Sequence, residues 1–164
     1  MRNTQLFLCW LFTVVSFSFC VQNSEGAAKA THSAGGPQGE REVRTTAYTR
    51  ARHDGAKNAN GSQLKAGDVN SAAADWSRFP IGTKFKIRGT HKTYVVDDYG
   101  PALVGTNKID LYMPSRREMH HWGVRKVTID IIEPGSFDRS LALLKQRKHV
   151  PYVRRMVKVL EEKM

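Results

Sequence analysis

Two aspartates, Asp98 and Asp110, flank a glycine-containing loop and could carry out acid–base chemistry. Asp98 ends a short run of β-forming residues, whereas Asp110 lies inside the next such run, residues 109–113. Side chains alternate between the two faces of a strand, so Asp110 and Tyr112 face away from the apolar residues of that run. We therefore expect the carboxyl group of Asp110 to face a groove or solvent.

A third acid, Asp75, lies upstream, ahead of residues 79–83. Carboxylates that lie close together repel one another, so at least one should hold its proton to a higher pH than usual, as a general acid requires. Asp75 also has a structural interpretation, in which it accepts backbone N–H bonds and caps the loop before Phe79 and Pro80. Both interpretations of Asp75 stay open at this point.

Five motifs in this order resemble the 3D (three-aspartate) domain, a family that includes membrane-bound lytic murein transglycosylase A. The motifs are residues 46–49, Asp75 with residues 79–83, residues 98–100, residues 107–110 and residues 122–125. The resemblance covers residues 43–133. It implies a mainly β fold, a small double-psi β-barrel whose crossed loops bring acidic residues into one surface groove.

The resemblance also implies a function, a lytic transglycosylase that acts on peptidoglycan in cell-wall turnover. Such an enzyme cleaves the bond between N-acetylmuramic acid and N-acetylglucosamine and leaves a 1,6-anhydro product. By position in the motifs, Asp110 matches the catalytic acid/base, and Asp98 matches the preceding acid that raises its pKa or stabilises the oxocarbenium ion. The predicted substrate-binding residues are Asp75, Tyr48, Thr49 and Lys108. We expect no cofactor and no metal ion.

The loop between the two aspartates departs from the family pattern. Pro101 follows Gly100 where the family commonly has a second glycine, and Thr106 adds one residue. Proline stiffens a loop that glycines would adapt for close backbone approach. The alternative function is therefore a secreted module that binds peptidoglycan without cutting it, and it would yield no anhydro sugar.

The composition indicates one modest core and a basic surface. The chain has 164 residues, 40% of them hydrophobic, and a net charge of +11. Such a charge attracts polyanions of any kind. A nucleic-acid-binding barrel would need interleaved aromatic residues and conflicts with export, so we expect no nucleic acid partner. The expected partners are peptidoglycan glycan strands, with peripheral contact to an anionic envelope surface.

The N-terminal segment, residues 1–20, is predicted to be a secretory signal peptide. Arg2 provides a basic start, and the apolar run that follows is too short for a comfortable membrane span. Export to the periplasm, the outer membrane or the extracellular space is expected. Both cysteines lie in this segment, so the remainder has no thiol for a disulfide, a zinc site or a nucleophile. Lipid attachment at Cys20 is a minor alternative, because Phe19 stands where lipoprotein signals carry a small residue.

The rest of the chain divides by composition. Residues 21–42 are rich in small and charged residues and predict a flexible linker. The barrel is expected over residues 43–133, with one short helix that starts at the capping-box residue Ser115. His53 and Asp54 indicate a solvated loop pair, because no further ligand cluster stands near them in sequence.

The C-terminal residues, 134–164, predict a basic helical extension. Apolar residues recur at helical spacing on both sides of Pro151, which suits the first turn of a second helix. We expect two amphipathic helices that dock onto the barrel. The side chains expected to make that contact are Phe137, Leu144, Val153 and Leu160.

Overall fold

The strands of the protein close into a barrel. The computed structural model describes residues 39–50 and 57–164, and in these residues it contains six strands and three helices. The strands are β1 (Gly39–Tyr48), β2 (Val69–Ala74), β3 (Lys84–Ile87), β4 (Thr93–Asp98), β5 (Lys108–Tyr112) and β6 (Arg125–Glu133). The helices are α1 (Arg116–Trp122), α2 (Phe137–Lys145) and α3 (Pro151–Glu161). The predicted signal peptide, residues 21–38 of the predicted linker, and the His53–Asp54 pair lie outside the described residues.

The barrel contains both parallel and antiparallel strand pairs. The strand order is β1-β5-β2-β4-β3-β6, and pairing of β6 with β1 closes the barrel. The β1–β5 and β2–β4 pairs are parallel, and the other pairs are antiparallel. Both parallel pairs consist of strands that are not consecutive in sequence, as expected because parallel neighbours cannot be joined by a tight hairpin. The predicted fold class, a mainly β closed barrel with a helical C-terminal extension, is confirmed.

The first strand begins earlier than its sequence suggested. Residues 39–42, predicted to belong to the linker, form the start of β1 and pair with β6 from Ile131 to Thr128. Residues 39–42 are exposed, and this part is held by backbone hydrogen bonds to β6 and by a surface ion pair between Glu40 and Arg88 at 2.8 Å. Composition cannot reveal a strand of this kind, because its polar side chains match those of a linker.

Two other strand predictions need correction. The alternation of apolar and polar residues over 79–87 predicts a strand, but β3 covers only its second half, because residues 79–83 turn. Gly82 has a φ of 88°, and the Thr83 hydroxyl donates to the Pro80 carbonyl oxygen at 2.7 Å. Conversely, β2 was not predicted. Its serine and alanines have little β propensity, but they fit a crowded position between β4 and β5.

Alternation along β5 is as predicted. Ile109 and Leu111 are fully buried, while Asp110 and Tyr112 are half-buried on the opposite face. The short helix also begins as predicted, because the Ser115 hydroxyl accepts from the Glu118 N–H at 3.2 Å. Asp110, the candidate acid, is therefore held on a strand whose opposite face is buried in the core.

The C-terminal helices are part of the core. The side chains of Leu144, Val153, Met156 and Leu160 are fully buried, and Phe137 packs against them. The expected docking of the tail is therefore confirmed. None of the helices formed by residues 39–50 and 57–164 has the length and apolar character needed to span a bilayer.

A close backbone approach at Gly135 joins the tail to the barrel. A Cβ atom there would lie 2.6 Å from the Ile81 carbonyl oxygen and 2.6 Å from the Thr83 nitrogen, distances that real Cβ atoms do not adopt. Next to it, the buried Ser140 hydroxyl accepts from the Ile81 N–H at 2.9 Å. The junction thus has no room for any side chain at position 135.

Gly135→Ala is expected to destabilise the protein by about 1–3 kcal/mol, the usual cost of overpacking. The clash involves backbone atoms, so no side-chain rotation relieves it. Thermal melts would measure the effect. Gly67→Ala is the matched control, because a Cβ there meets nothing within 4 Å and the backbone is not in the positive-φ region. Equal melting temperatures for the two variants would contradict the proposed close approach.

Candidate functional site

Four side-chain positions on neighbouring strands form a row across the barrel. Ala73 on β2 pairs with Asp98 on β4 and with Asp110 on β5, and Asp110 pairs in turn with Thr46 on β1. We call these four positions the acidic row. Neighbouring strands lie about 4.8 Å apart, so the backbones of the two aspartates are separated by roughly 10 Å. In the sheet, only the methyl group of Ala73 stands between them.

A β-bulge selects which acid joins the row. Ala72 pairs with Val96, but the next residue, Ala73, pairs with Asp98, so Asp97 is the extra residue of the bulge. Bulges re-aim side chains and are frequent beside functional sites. Without this one, Asp97 would occupy the position that Asp98 takes.

Asp110 is a half-buried carboxyl group with one restrained oxygen. Its Oδ1 accepts a hydrogen bond from the Thr46 hydroxyl at 2.7 Å, and no described residue donates to its Oδ2. Burial raises the pKa of Asp110, and the charge of Asp98 raises it further, while the Thr46 hydrogen bond and Lys108 oppose the shift. Burial, rather than the carboxylate repulsion that we expected, is thus the main cause.

Asp98 is a buried carboxyl group held from several sides. Its Oδ1 accepts from the Ala59 N–H at 2.9 Å and from the Tyr99 N–H at 3.0 Å. Its Oδ2 accepts from the Tyr48 hydroxyl at 3.3 Å and lies 3.7 Å from Arg50 Nη2. Burial raises the pKa of Asp98, and these donors counteract the shift. The side chain is therefore fixed in orientation.

Two tyrosines flank the aspartates on the same face of the sheet. Tyr48 and Tyr112 pair across β1 and β5, with ring centroids 5.6 Å apart. Burial, followed by the charge of Asp98, raises the pKa of Tyr48, so its phenol stays protonated and donates to that carboxylate. Half-buried aromatic rings beside a few convergent polar groups are what ligand sites commonly offer.

Asp75, the third predicted acid, is engaged in holding the backbone. It is 1% exposed, and its Oδ1 accepts from the Ser77 N–H at 2.8 Å and from the Ser77 hydroxyl at 2.7 Å. Its Oδ2 accepts from the Gly105 N–H at 2.6 Å. The capping interpretation is therefore favoured, and Asp75 orders the loop that connects Asp98 to Asp110.

The remaining predicted site residues, Lys108 and Thr49, lie at the start of β5 and just beyond the end of β1. Lys108 begins β5, two residues before Asp110, and its charge lowers the pKa of that carboxyl group. Thr49 follows Tyr48 immediately beyond β1 and is half-buried. The structure thus brings Asp110, Asp98 and Tyr48 together, and Lys108 is close enough to lower the pKa of Asp110.

Sequence reasoning missed a second polar layer next to Asp98. Asp97 is 4% exposed, and its Oδ2 accepts from the Ser71 hydroxyl at 2.8 Å. Its Oδ1 and the Asn58 Nδ2 are buried without a partner in the described ranges. Burial raises the pKa of Asp97, and Ser71 and Asn58 counteract this, although no hydrogen bond joins Asn58 Nδ2 to Asp97 in the present geometry. The sequence feature that could have predicted this layer is the pair of consecutive acids, Asp97 and Asp98, at the end of β4.

The acidic row is suited to proton transfer. A carboxyl group with a raised pKa keeps a proton closer to neutral pH, and a fixed neighbouring carboxylate can stabilise positive charge. Asp110 has the open oxygen that the first role needs, and Asp98 has the restrained geometry of the second. Within residues 39–50 and 57–164, no three His, Cys, Asp or Glu side chains are grouped so as to hold a metal ion.

Comparison with known proteins agrees with this architecture. Residues 70–133 match the family model of the 3D domain. A curated relative, the cell wall-binding protein YocH of Bacillus subtilis (strain 168), is 33% identical over 94 residues, which are 55% of this chain and 31% of YocH. The chain therefore spans less than a third of the length of that relative. The motifs, the closed barrel and the family match lead to one conclusion, that the chain carries a 3D domain at residues 70–133.

Proposed function

We propose that this protein is a peptidoglycan lytic transglycosylase with Asp110 as its single acid/base. One observation carries the proposal. Asp110 is half-buried with a raised pKa, one of its oxygens is held by Thr46, and the other accepts no hydrogen bond from the described residues. A general acid must hold a proton and present it to the substrate, and this geometry meets both needs.

The reaction needs no water. Protonated Asp110 donates its proton to the oxygen that bridges N-acetylmuramic acid and N-acetylglucosamine, and the bond from that oxygen to the muramyl C1 breaks. The muramyl C6 hydroxyl then forms a bond to C1, and its proton passes to the Asp110 carboxylate. The ring closes as a 1,6-anhydro sugar, and Asp110 is again protonated for the next turn.

The other members of the site support this chemistry. Asp98, in its ionised form, stabilises the positive charge that develops at C1, and its donors keep it in place without the aid of substrate. Tyr48 and Tyr112 offer aromatic faces to the sugar rings. A protein with this substrate acts outside the cytoplasm, in agreement with the signal peptide expected at residues 1–20.

A second candidate function is binding to peptidoglycan without cleavage. The relative YocH is named as a cell wall-binding protein, which favours this alternative, and the match covers 55% of this chain. Pro101 in the loop between the two aspartates is compatible with it, because a stiff loop can hold a glycan without the adjustments that turnover needs.

Digestion of peptidoglycan sacculi in ¹⁸O-labelled water tests the proposal. Mass spectrometry of the released fragments is expected to show 1,6-anhydro ends without ¹⁸O, because the C6 hydroxyl attacks in place of water. Reducing ends that carry ¹⁸O would instead indicate a hydrolase. Co-sedimentation of the protein with sacculi and no released fragment would identify the binding module and overturn the transglycosylase.

A further inference from the structure

A second cleft lies between α3 and the barrel. Its volume is about 550 Å³, and its walls come from the turn after β2, the loop between β4 and β5, and one side of α3. Arg78 stands on the barrel side, and Arg155 and Lys158 stand on the helix side. A cleft of this volume falls in the range of ligand-binding sites, about 300–1,000 Å³.

The charge of this cleft is mainly positive. Arg78, Arg155, Lys158 and Lys163 line it. Lys158 Nζ lies 3.9 Å from Glu162 Oε1, and an ion pair this exposed contributes little to stability. Arg78 and Arg155 are exposed, and neither forms a salt bridge with a described residue. Two guanidinium groups are therefore available on opposite walls.

Two acids, Asp75 and Glu162, also line the cleft, and the four basic side chains outnumber them. Asp75 is 1% exposed and already accepts hydrogen bonds from Ser77 and Gly105 on both oxygens. Glu162 is exposed beside Lys158. The Lys163 ammonium donates to the Ser77 carbonyl oxygen at 2.6 Å, which fixes one positive charge at the edge of the cleft.

The available groups fit phosphate. A guanidinium group presents planar paired donors that match phosphate oxygens, and it is always charged. We propose that the cleft between α3 and the barrel binds a phosphate-bearing linear polymer, whose successive phosphates contact Arg78 and Arg155. A flat bilayer cannot enter a concave site with walls on two sides, whereas an extended chain can lie along it.

This binding site is separate from the acidic row and does not rest on the proposed glycan cleavage. Asp75 and Gly105 connect the two, because they line the cleft and belong to the turn and loop that position the aspartates. Loss of phosphate binding and loss of glycan cleavage can therefore be measured independently.

The test measures binding of the full chain to short-chain inorganic polyphosphate by calorimetry at fixed ionic strength. The double variant Arg78→Gln/Arg155→Gln is expected to bind at least about tenfold more weakly, because it loses two charge-assisted contacts. The matched control is Arg41→Gln/Lys126→Gln, which removes the same charge from exposed positions on β1 and β6. The control is expected to retain the affinity of the wild type.

Two results would overturn the proposal. An equal loss of affinity in both double variants would show that polyphosphate responds to net charge and not to this cleft. Binding to phosphatidylglycerol vesicles that depends on Arg78 and Arg155, without binding to polyphosphate, would assign the cleft to a lipid surface. Thermal melts of both double variants confirm that they are folded before binding is compared.

Discussion

Asp110→Asn is expected to lower the release of anhydro-muropeptides from sacculi by about 10²- to 10⁴-fold, the usual contribution of general acid–base catalysis. Asparagine has the same shape, and its amide oxygen can still accept the hydrogen bond from Thr46. It cannot donate and recover a proton at the glycosidic oxygen. Fragment release at a fixed enzyme concentration, followed by mass spectrometry, measures the loss.

The control for this variant is Asp68→Asn, which makes the same chemical change at an exposed position ahead of β2. Its release of fragments should equal that of the wild type. Equal release by Asp110→Asn and the wild type would remove Asp110 from the catalytic role. Release by neither protein, with sacculi still bound, would leave the binding module as the function.

The same substitution should leave stability unchanged or raise it. Burial raises the pKa of Asp110 in the folded state above its ordinary value of 3.8. Between these two pKa values the folded protein binds more protons than the unfolded chain, so it loses stability as the pH rises through this range. Asparagine carries no such penalty. Any gain in melting temperature should appear above the folded-state pKa and disappear below pH 3.8, the ordinary aspartate value. Activity and stability should therefore respond differently to this one change.

The position of Asp110 could be predicted because it depends on local order. A strand with apolar residues at every second position must turn the intervening side chains the other way, and Ile109 and Leu111 fix that choice by entering the core. The start of α1 followed for a similar reason, because the capping hydroxyl of Ser115 and its partner are three residues apart. Both predictions use contacts within one segment.

The surroundings of Asp98 could not be predicted, because they come from distant parts of the chain. Its donors include Ala59, from a glycine-rich loop, and Tyr48, from another strand. The bulge that admits Asp98 to the acidic row depends on the register between β2 and β4, and β2 itself is a run of small residues without a strand signal. Asp75 shows the reverse case, since its type suggested chemistry while its partners make it a structural residue.

The C-terminal helices illustrate how a local pattern can indicate packing without its details. Helical spacing of apolar residues predicted that the tail docks, and its fully buried leucines agree. Neither the spacing nor the composition could predict that Ser140 would bind the Ile81 N–H, or that Gly135 would have to lie against a barrel turn. The tail also contacts the residue that follows Asp98, because Arg147 donates to the Tyr99 hydroxyl at 3.3 Å.

Truncation after Gly135 is expected to prevent cooperative folding. Burial of Leu144, Val153, Met156 and Leu160 contributes about 6–12 kcal/mol, at about 1.5–3 kcal/mol for each side chain, against a total stability of about 5–15 kcal/mol for an ordinary domain. The truncated barrel would also expose the apolar surface that these residues cover. Calorimetry should find no unfolding transition. A single substitution tests the same contact: Leu160→Ala removes a fully buried side chain and should lower the melting temperature, whereas the control Val159→Ala changes an exposed one and should not. A truncated chain that melts like the wild type would show that the barrel is complete without its tail.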